Sequence, residues 1–278
     1  MVFLPKYLDP RYSPEARALW ASRRRFSAAV RDYFNRLDSA GLRVTAYDAA
    51  NARLIDRLVE AGGNFWPDSG AFNAMAGYLF PSAGTLVPLH PNHDAGTMVD
   101  FVTGDWNAVT GLKGDGSTKH VNSNRNNNAD GQDDQALGVY CSEAVSTTIS
   151  YRAWIGSGTS SGSSLLNFRF ASVPFVFRSR SSSSFTVSED SPTEGYHGIS
   201  RDNSENFEYR VNSDLAGTGT QTSQIPSSDL IYIFGVPDIS FCPSRFPFYN
   251  LGPNLSGTGE LALMDDITTE WVGNLSTS

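Results

Sequence analysis

Residues 114–141 read GDGSTKHVNSNRNNNADGQDDQALGVYC, and three local chemistries follow one another within them. Gly114, Gly116, Ser117 and Thr118 suit a tight turn, because glycine adopts backbone angles that a Cβ forbids and small hydroxyl residues bond back to the chain. That turn predicts a lead-in to an edge strand starting at Lys119-His120-Val121, paired across the sheet, Greek-key fashion, with a strand near the C-terminal end. Such closure would set Phe246, Phe248 and Tyr249 against the opposite sheet. A run of Asn and Asp then interrupts the strand pattern. Beyond it, Leu137 to Cys141 is apolar and β-branched, and predicts the next strand.

The same grammar continues downstream. Short β-branched and aromatic runs recur at Thr147 to Ile155, Leu165 to Phe170, Phe175 to Phe177, Phe185 to Val187, Phe207 to Val211 and Leu230 to Phe234, separated by Gly, Ser, Thr and Asn. Many short antiparallel strands with polar connections predict a mainly β fold, a jelly-roll or related two-sheet β-sandwich. Upstream of Pro81 the pattern is helical. Ser13-Pro14-Glu15 supplies a cap, a first-turn proline and an acid, and Gly41 a stop, so one helix is predicted over 13–41 with Leu19, Phe26, Val30, Tyr33 and Leu37 on its apolar face. A second is predicted from Thr45 to Gly62-Gly63, burying Tyr47, Leu54, Ile55, Leu58 and Val59. A third is predicted over 69–79, and a closing helix over 259–271 with Leu261, Met264 and Ile267 on one face. The expected organisation is a helical region over 1–83 and a sandwich over 84–278.

Composition narrows the function classes. The chain has 278 residues, enough to bury a large core, and 40% of them are hydrophobic. No apolar run approaches the ~18 to 20 residues of a membrane helix, and the N-terminus lacks a basic-then-apolar leader, so the expectation is a cytoplasmic product with no membrane insertion. Only Cys141 and Cys242 are present, which offers neither a disulfide framework nor metal-ligand spacing. Net charge is -8, but residues 1–60 carry 11 Lys and Arg against 7 Asp and Glu, while the remainder carries 10 against 22. Trp20, Arg23, Arg24 and Arg25 lie in the basic end. Without interleaved aromatics they do not predict nucleic-acid binding; they are candidates for docking on an acidic protein surface.

Catalytic and metal motifs fail on context. Asn126-x-Asn128-x-Asp130-Gly131 matches the first half of an EF-hand calcium loop, but its twelfth position is Leu137 where a bidentate Glu belongs. His90-Pro-Asn-His93-Asp94 lacks the helical spacing of a zinc hydrolase. Gly158-Thr-Ser160-Ser-Gly162 spells a nucleophile elbow inside a low-complexity loop, and Glu189, Asp190 and Glu194 lie in a proline-broken turn and not on a strand. The expectation is no enzyme, no metal and no cofactor.

Several blocks in order, TGLKGDGSTKHVNSNRNNNADGQDDQALGVY, WIGSG, RSRSSSS, GTQTSQIP and FYNLGPNLSGTGELALMDDITTEW, with the upstream GTLVPLHPN and VDFVTGDWNAVTG, resemble a family of tailed-phage structural proteins with a concanavalin A-like, laminin-G-like jelly roll. The resemblance covers about residues 84–278. It implies a virion structural protein of a phage or phage-like gene transfer particle, sited on the particle surface. Two roles compete: a surface adhesin, as head spike or tail fibre component, contacting host-surface polysaccharide, or a purely architectural head-decoration or tail-collar subunit. The expected partners are capsid or tail proteins and further copies of the chain, as a trimer or pentamer. In the adhesin reading the candidate contacts are Asn126, Asn128, Asp130, Asp133, Trp154, Tyr196 and His197, because aromatic faces stack on sugars and amides read hydroxyls. The candidate anchor is Trp20 with Arg23 to Arg25.

Overall fold

A computed structural model of the chain describes residues 26–41, 45–66, 73–74, 85–91, 96–144, 152–158, 160–168, 175–187, 194–212, 215–237, 240–255 and 259–276. With strands numbered along the chain, one sheet has the order β1 (Asn73–Ala74), β19 (Phe248–Gly252), β7 (Gln135–Cys141), β12 (Gly195–Arg201), β13 (Asn206–Val211) and β14 (Leu215–Thr220). The other has the order β11 (Phe185–Val187), β10 (Phe175–Ser181), β9 (Ser163–Phe168), β8 (Arg152–Gly156), β15 (Leu230–Ile233), β6 (His120–Asn126), β3 (Gly96–Val99) and β2 (Thr85–Leu86). Two small ladders close the flank: β4 (Trp106–Asn107), β5 (Gly111–Lys113) and β18 (Arg245–Phe246), and β16 (Gly235–Val236) with β17 (Ser240–Phe241). The result is a mainly β jelly-roll-type sandwich with helices near the N-terminus and one at the C-terminus.

The strand predicted at His120 is β6, and it pairs with β15, Val121 opposite Ile233, and on its other side with β3, Val121 opposite Met98. Between the sheets, Trp154 of β8 packs edge-on against His197 of β12 at 4.8 Å, Phe175 at 5.8 Å and Phe246 at 5.4 Å. Phe177 of β10 stacks on Tyr209 of β13 at 5.5 Å. Of the residues expected to face the opposite sheet, Phe246 and Tyr249 do so. Phe248 points the other way, onto Trp271 at 6.1 Å, because successive strand side chains alternate between faces.

Three α-helices are described: α1 (Ala28–Ala40), α2 (Asp48–Ala61) and α3 (Glu260–Ser276). α1 starts where the Ser27 hydroxyl accepts the Val30 N–H, and stops at Gly41 in the left-handed region at φ 68°. The single helix expected over 13–41 is thus interrupted at Ser27; residues 13–25 lie outside the described residues. In α2 the face expected to be buried holds for Leu54, Ile55 and Leu58, whereas Val59 is 37% exposed. Where a third helix was expected, Asn73–Ala74 instead pairs with Asn250 and Leu251 of β19; the rest of 69–79 lies outside the described residues. α3 buries Leu261, Met264 and Ile267 as expected, and Trp271 as well.

α3 covers the outer face of the smaller sheet, and α2 packs on α3 through a buried Trp271 Nε1–H donating to Asn51 Oδ1 at 3.0 Å. α1 is tied to the 85–91 segment by Arg36, whose guanidinium donates to the carbonyls of Pro88 at 2.5 Å and Leu89 at 2.6 Å. Val30, Leu37, Leu54 and Leu58 consequently belong to the same buried cluster as Trp154, Ile199 and Trp271.

Candidate functional site

The Gly114 to Thr118 turn is built around one carboxylate. Asp115 accepts the backbone N–H groups of Ser117, Thr118 and Lys119 at 2.9 to 3.0 Å, and both hydroxyls of Ser117 and Thr118. Partial burial works against ionisation, but these donors prevail and hold the Asp115 carboxyl well below the usual range. Gly116 has φ 75°, a region open to glycine. The motif is a strand-entering turn with its donors spoken for.

Strand register gathers several polar loops at one end of the sandwich. β6 ends at Asn126 opposite Leu230, where β15 begins. β7 begins at Gln135 opposite Arg201, where β12 ends. β9 begins at Ser163 opposite Ser181, where β10 ends, and β13 begins at Asn206 opposite Thr220, where β14 ends. Loops 127–134, 157–158 with 160–162, 182–184, 202–205 and 221–229 therefore form one rim. They interlock: Asn127 Nδ2 donates to the Gly162 carbonyl at 2.8 Å, Gln132 Nε2 to Ser223 Oγ at 2.9 Å, and Ser160 Oγ to Asp229 Oδ2 at 3.2 Å.

Two fully buried arginines hold this rim from beneath. Arg180 donates to the carbonyls of Gly131, Asp134 and Asn127, the last at 2.6 Å. Arg201 donates to the carbonyls of Ser179 at 3.0 Å, Asn203 at 2.9 Å and Gln221 at 2.9 Å. Planar guanidinium forks suit such multiple acceptors, and each carbonyl would be costly to bury unpaired. Burial pushes Arg180 down to about 10, against the pull of Asp130 and Asp134, so it remains charged at neutral pH. Neither arginine stood out in the sequence, although the RSRSSSS block contains the first.

The expected contact residues separate by burial. Asn126 and Asn128 are exposed on the rim, and Asp133 is half-buried. Asp130 is turned inward: its side chain is only 9% exposed, 2.5 Å from Arg125 and 4.0 Å from Arg180. Asp134 Oδ1 accepts both N–H groups of Asn254 at 2.7 Å. Of the would-be calcium oxygens, those of Asp130 and Asp134 are thus engaged with protein, and Leu137 lies in the core of β7. Among the described residues no group of three or more His, Cys, Asp or Glu is placed to hold a metal ion. Ser160 is followed by strand β9 and not by the helix of a nucleophile elbow.

Trp154, Tyr196 and His197 must be corrected as contact candidates, since all three are 0% exposed. Trp154 and His197 fill the space between the sheets, and the Tyr196 hydroxyl donates to Asn250 Oδ1 at 2.9 Å beneath α3. Alternating strands bury one face, and a covering helix buries the other. Trp20 and Arg23 to Arg25, with His93, Asp94, Glu189 and Asp190, lie outside the described residues.

The outer face of the larger sheet carries a group that the sequence reading passed over. His120 of β6 lies 5.6 Å from the Tyr232 ring of β15 and 5.7 Å from Phe241 of β17, all three half-buried. Asn122 faces Tyr232 across one ladder and Thr97 of β3 across the other. The signal available in the sequence was the i, i+2 spacing of His120, Asn122 and Asn124, which places them on one face.

No family model and no curated protein matches the sequence. Solved structures do match in fold. A Trypanosoma rangeli sialidase in complex with 2,3-difluorosialic acid superposes with a TM-score of 0.55 at 11% identity, covering 82% of this chain and 39% of that one. The same sialidase in complex with 2,3-difluoro-KDN gives 0.56 at 9% identity, again over 82% and 39%. An HCR/D mutant gives 0.52 at 12% identity over 72% of this chain and 54% of the other. This chain thus spans about half the length of the HCR/D protein and about two fifths of the sialidase. The likeness is one of fold.

Proposed function

We propose that the chain is a surface adhesin of a tailed phage or phage-like gene transfer particle, a head spike or tail fibre component that contacts host-surface saccharides through the loop rim. The observation that carries the saccharide reading is the fixed polar rim itself. Exposed Asn126, Asn128 and Asn203 are presented on backbone that buried Arg180 and Arg201 hold in place, with Ser160 and Asp229 bonded to each other beside them. Amides and hydroxyls read sugar hydroxyls, and preorganised loops lose little entropy on binding. Ile225, 81% exposed among these polar loops, offers an apolar surface to a sugar C–H face. Fold likeness to a sialidase crystallised with sialic acid derivatives gives the reading a precedent in architecture only. The particle setting rests on the block resemblance over 84–278. In that setting Trp20 and Arg23 to Arg25 form the dock onto capsid or tail proteins, and the chain assembles as a trimer or pentamer.

A glycan array probed with the full chain tests the saccharide reading. Saturable binding, weakened by about tenfold in an Asn126→Ala/Asn128→Ala variant, is expected; no binding by a folded, oligomeric sample leaves the architectural role. Antibody labelling of purified particles tests the setting, and particles free of the protein would remove it.

A further inference from the structure

We infer that the outer face of β3, β6 and β15 is a second saccharide subsite, taking an uncharged pyranose on the ring of Tyr232. The inference rests on the saccharide reading of the rim and names the class of sugar. α3 covers the smaller sheet, whereas on this face of the larger one Thr97 and Asn124 are exposed and His120, Asn122 and Tyr232 only half-buried. Tyr232, His120 and Phe241 make a half-exposed aromatic cluster there, with rings 5.6 and 5.7 Å apart about the imidazole. Aromatic faces accept the apolar C–H face of a sugar, while a nearby polar edge reads its hydroxyls.

That edge is present. His120 Nδ1 donates to the Thr118 carbonyl at 2.8 Å, which fixes the imidazole beside the Tyr232 ring. Asn122 Oδ1 accepts the Asn124 N–H at 2.8 Å, and Asn124 Nδ2 donates to Thr97 Oγ1 at 3.2 Å, so the amide row is ordered before any ligand arrives. Neither the Tyr232 hydroxyl nor the Asn122 amide nitrogen has a hydrogen-bond partner among the described residues. Of the outward side chains of this patch, Thr97, Asn122, Asn124 and Tyr232 carry no charge, and Arg152 at its margin is buried and spends Nη1 on the carbonyls of Gly116 and Phe241. Lys119 beside it is neutralised by Asp105 at 2.7 Å, and Arg125 by Asp130 at 2.5 Å. An uncharged stacking face with fixed amides fits a neutral sugar better than a sulfated or uronic one. Tyr232 is two residues from Leu230 at the rim, about 7 Å at about 3.3 Å per residue, close enough for one oligosaccharide to touch both.

The test is native electrophoresis of the full chain through gels cast with dextran, galactomannan or, as the anionic comparison, alginate. Retardation is expected in at least one neutral gel. Tyr232→Ala should weaken it by about tenfold, and Asn122→Ala and Tyr232→Phe, which keeps the stacking ring, to a lesser degree; unchanged thermal midpoints show that the variants fold. Retardation by alginate alone, wild-type behaviour of Tyr232→Ala, or a concentration-dependent dimer that Tyr232→Ala dissolves would each overturn the subsite. Loss in Asn126→Ala/Asn128→Ala without loss in Tyr232→Ala keeps the rim and removes the subsite; the converse keeps the subsite and removes the rim. No retardation in any gel removes the subsite, and the rim reading then stands or falls on the array.

Discussion

Single side chains decide how firmly the 114–141 stretch and the residues just beyond it are held. Asp115 satisfies three backbone N–H groups, and Glu143 is held low by its bond from Lys113, against partial burial, and by Arg245. A carboxyl whose folded pKa lies below its unfolded value stabilises the fold above the unfolded value and loses that contribution as pH falls through the folded one. The ordinary values are 4.5 for Glu143 and 3.8 for Asp115, so thermal midpoints should fall as acid is added below about pH 4.5. Asp115→Ala should cost about 1 kcal/mol at neutral pH, small because the site is solvent-screened, and flatten the decline below pH 3.8; an unchanged acid limb counts against the turn. Arg180 is a stronger case. Arg180→Met leaves the carbonyls of Asn127, Gly131 and Asp134 without their donor, at a cost of about 3–5 kcal/mol. Arg180→Lys should not restore it, because an ammonium lacks the planar fork. Urea midpoints measure both, and a lysine variant as stable as the parent would show that charge alone suffices. The turn's small residues were legible in the sequence, because local hydrogen bonding fixes them. Arg180 was not, because its acceptors lie 46 to 53 residues away.

At the scale of elements, strands whose residues carry their own signal were legible and strands completed by neighbours were not. β10 and β15 contain Phe, Val and Ile enough to be seen. β12 and β14 read GYHGISR and LAGTGT, which local propensity disfavours. Aromatic rings lie over their glycines: a Cβ on Gly198 of β12, or on Gly138 opposite it in β7, would overlap the Tyr196 hydroxyl, and one on Gly217 or Gly219 of β14 would overlap Tyr209 or Phe207. Each glycine is the floor under an aromatic ring from an adjacent strand position. Gly138→Ala should therefore destabilise by about 1–3 kcal/mol through overpacking. Tyr196→Phe alone leaves Asn250 short of its donor and costs about 1 kcal/mol or more. In the double variant the two costs should add to somewhat less than their sum, since losing the hydroxyl relieves one of the alanine's contacts while Asn250 Oδ1 and the Tyr196 ring carbon still crowd it. Strict additivity in denaturation experiments would mean that these remaining contacts set the whole cost. The same blindness hid the outer-face cluster, because Phe241 reaches His120 through a two-residue strand that no periodicity reveals.

For the whole molecule, the basic first 60 residues and the acidic remainder suggested two regions with separate jobs, dock and contact surface. Packing sets a condition on how those jobs can be tested. α1 and α2 share one buried cluster with the sandwich, and Trp271, buried against both Asn51 and Phe248, spans the join. Removing residues 1–60 would strip α1 and most of α2 from that core, so a failure of the truncated chain to join particles would not separate a lost dock from a lost fold. Charge reversal at Arg23, Arg24 and Arg25 in the full chain is the cleaner probe of docking, and incorporation should fall while the thermal midpoint stays put. Trp271→Ala probes the join. It should cost about 3–5 kcal/mol and lower the helical signal at 222 nm and the near-ultraviolet aromatic signal at the same midpoint, because a shared core unfolds as one unit. If the aromatic transition of the sandwich instead stayed at the parent's midpoint while the helical one moved, the helices and the sheets would be separable after all, and the truncation would become an interpretable test of the dock.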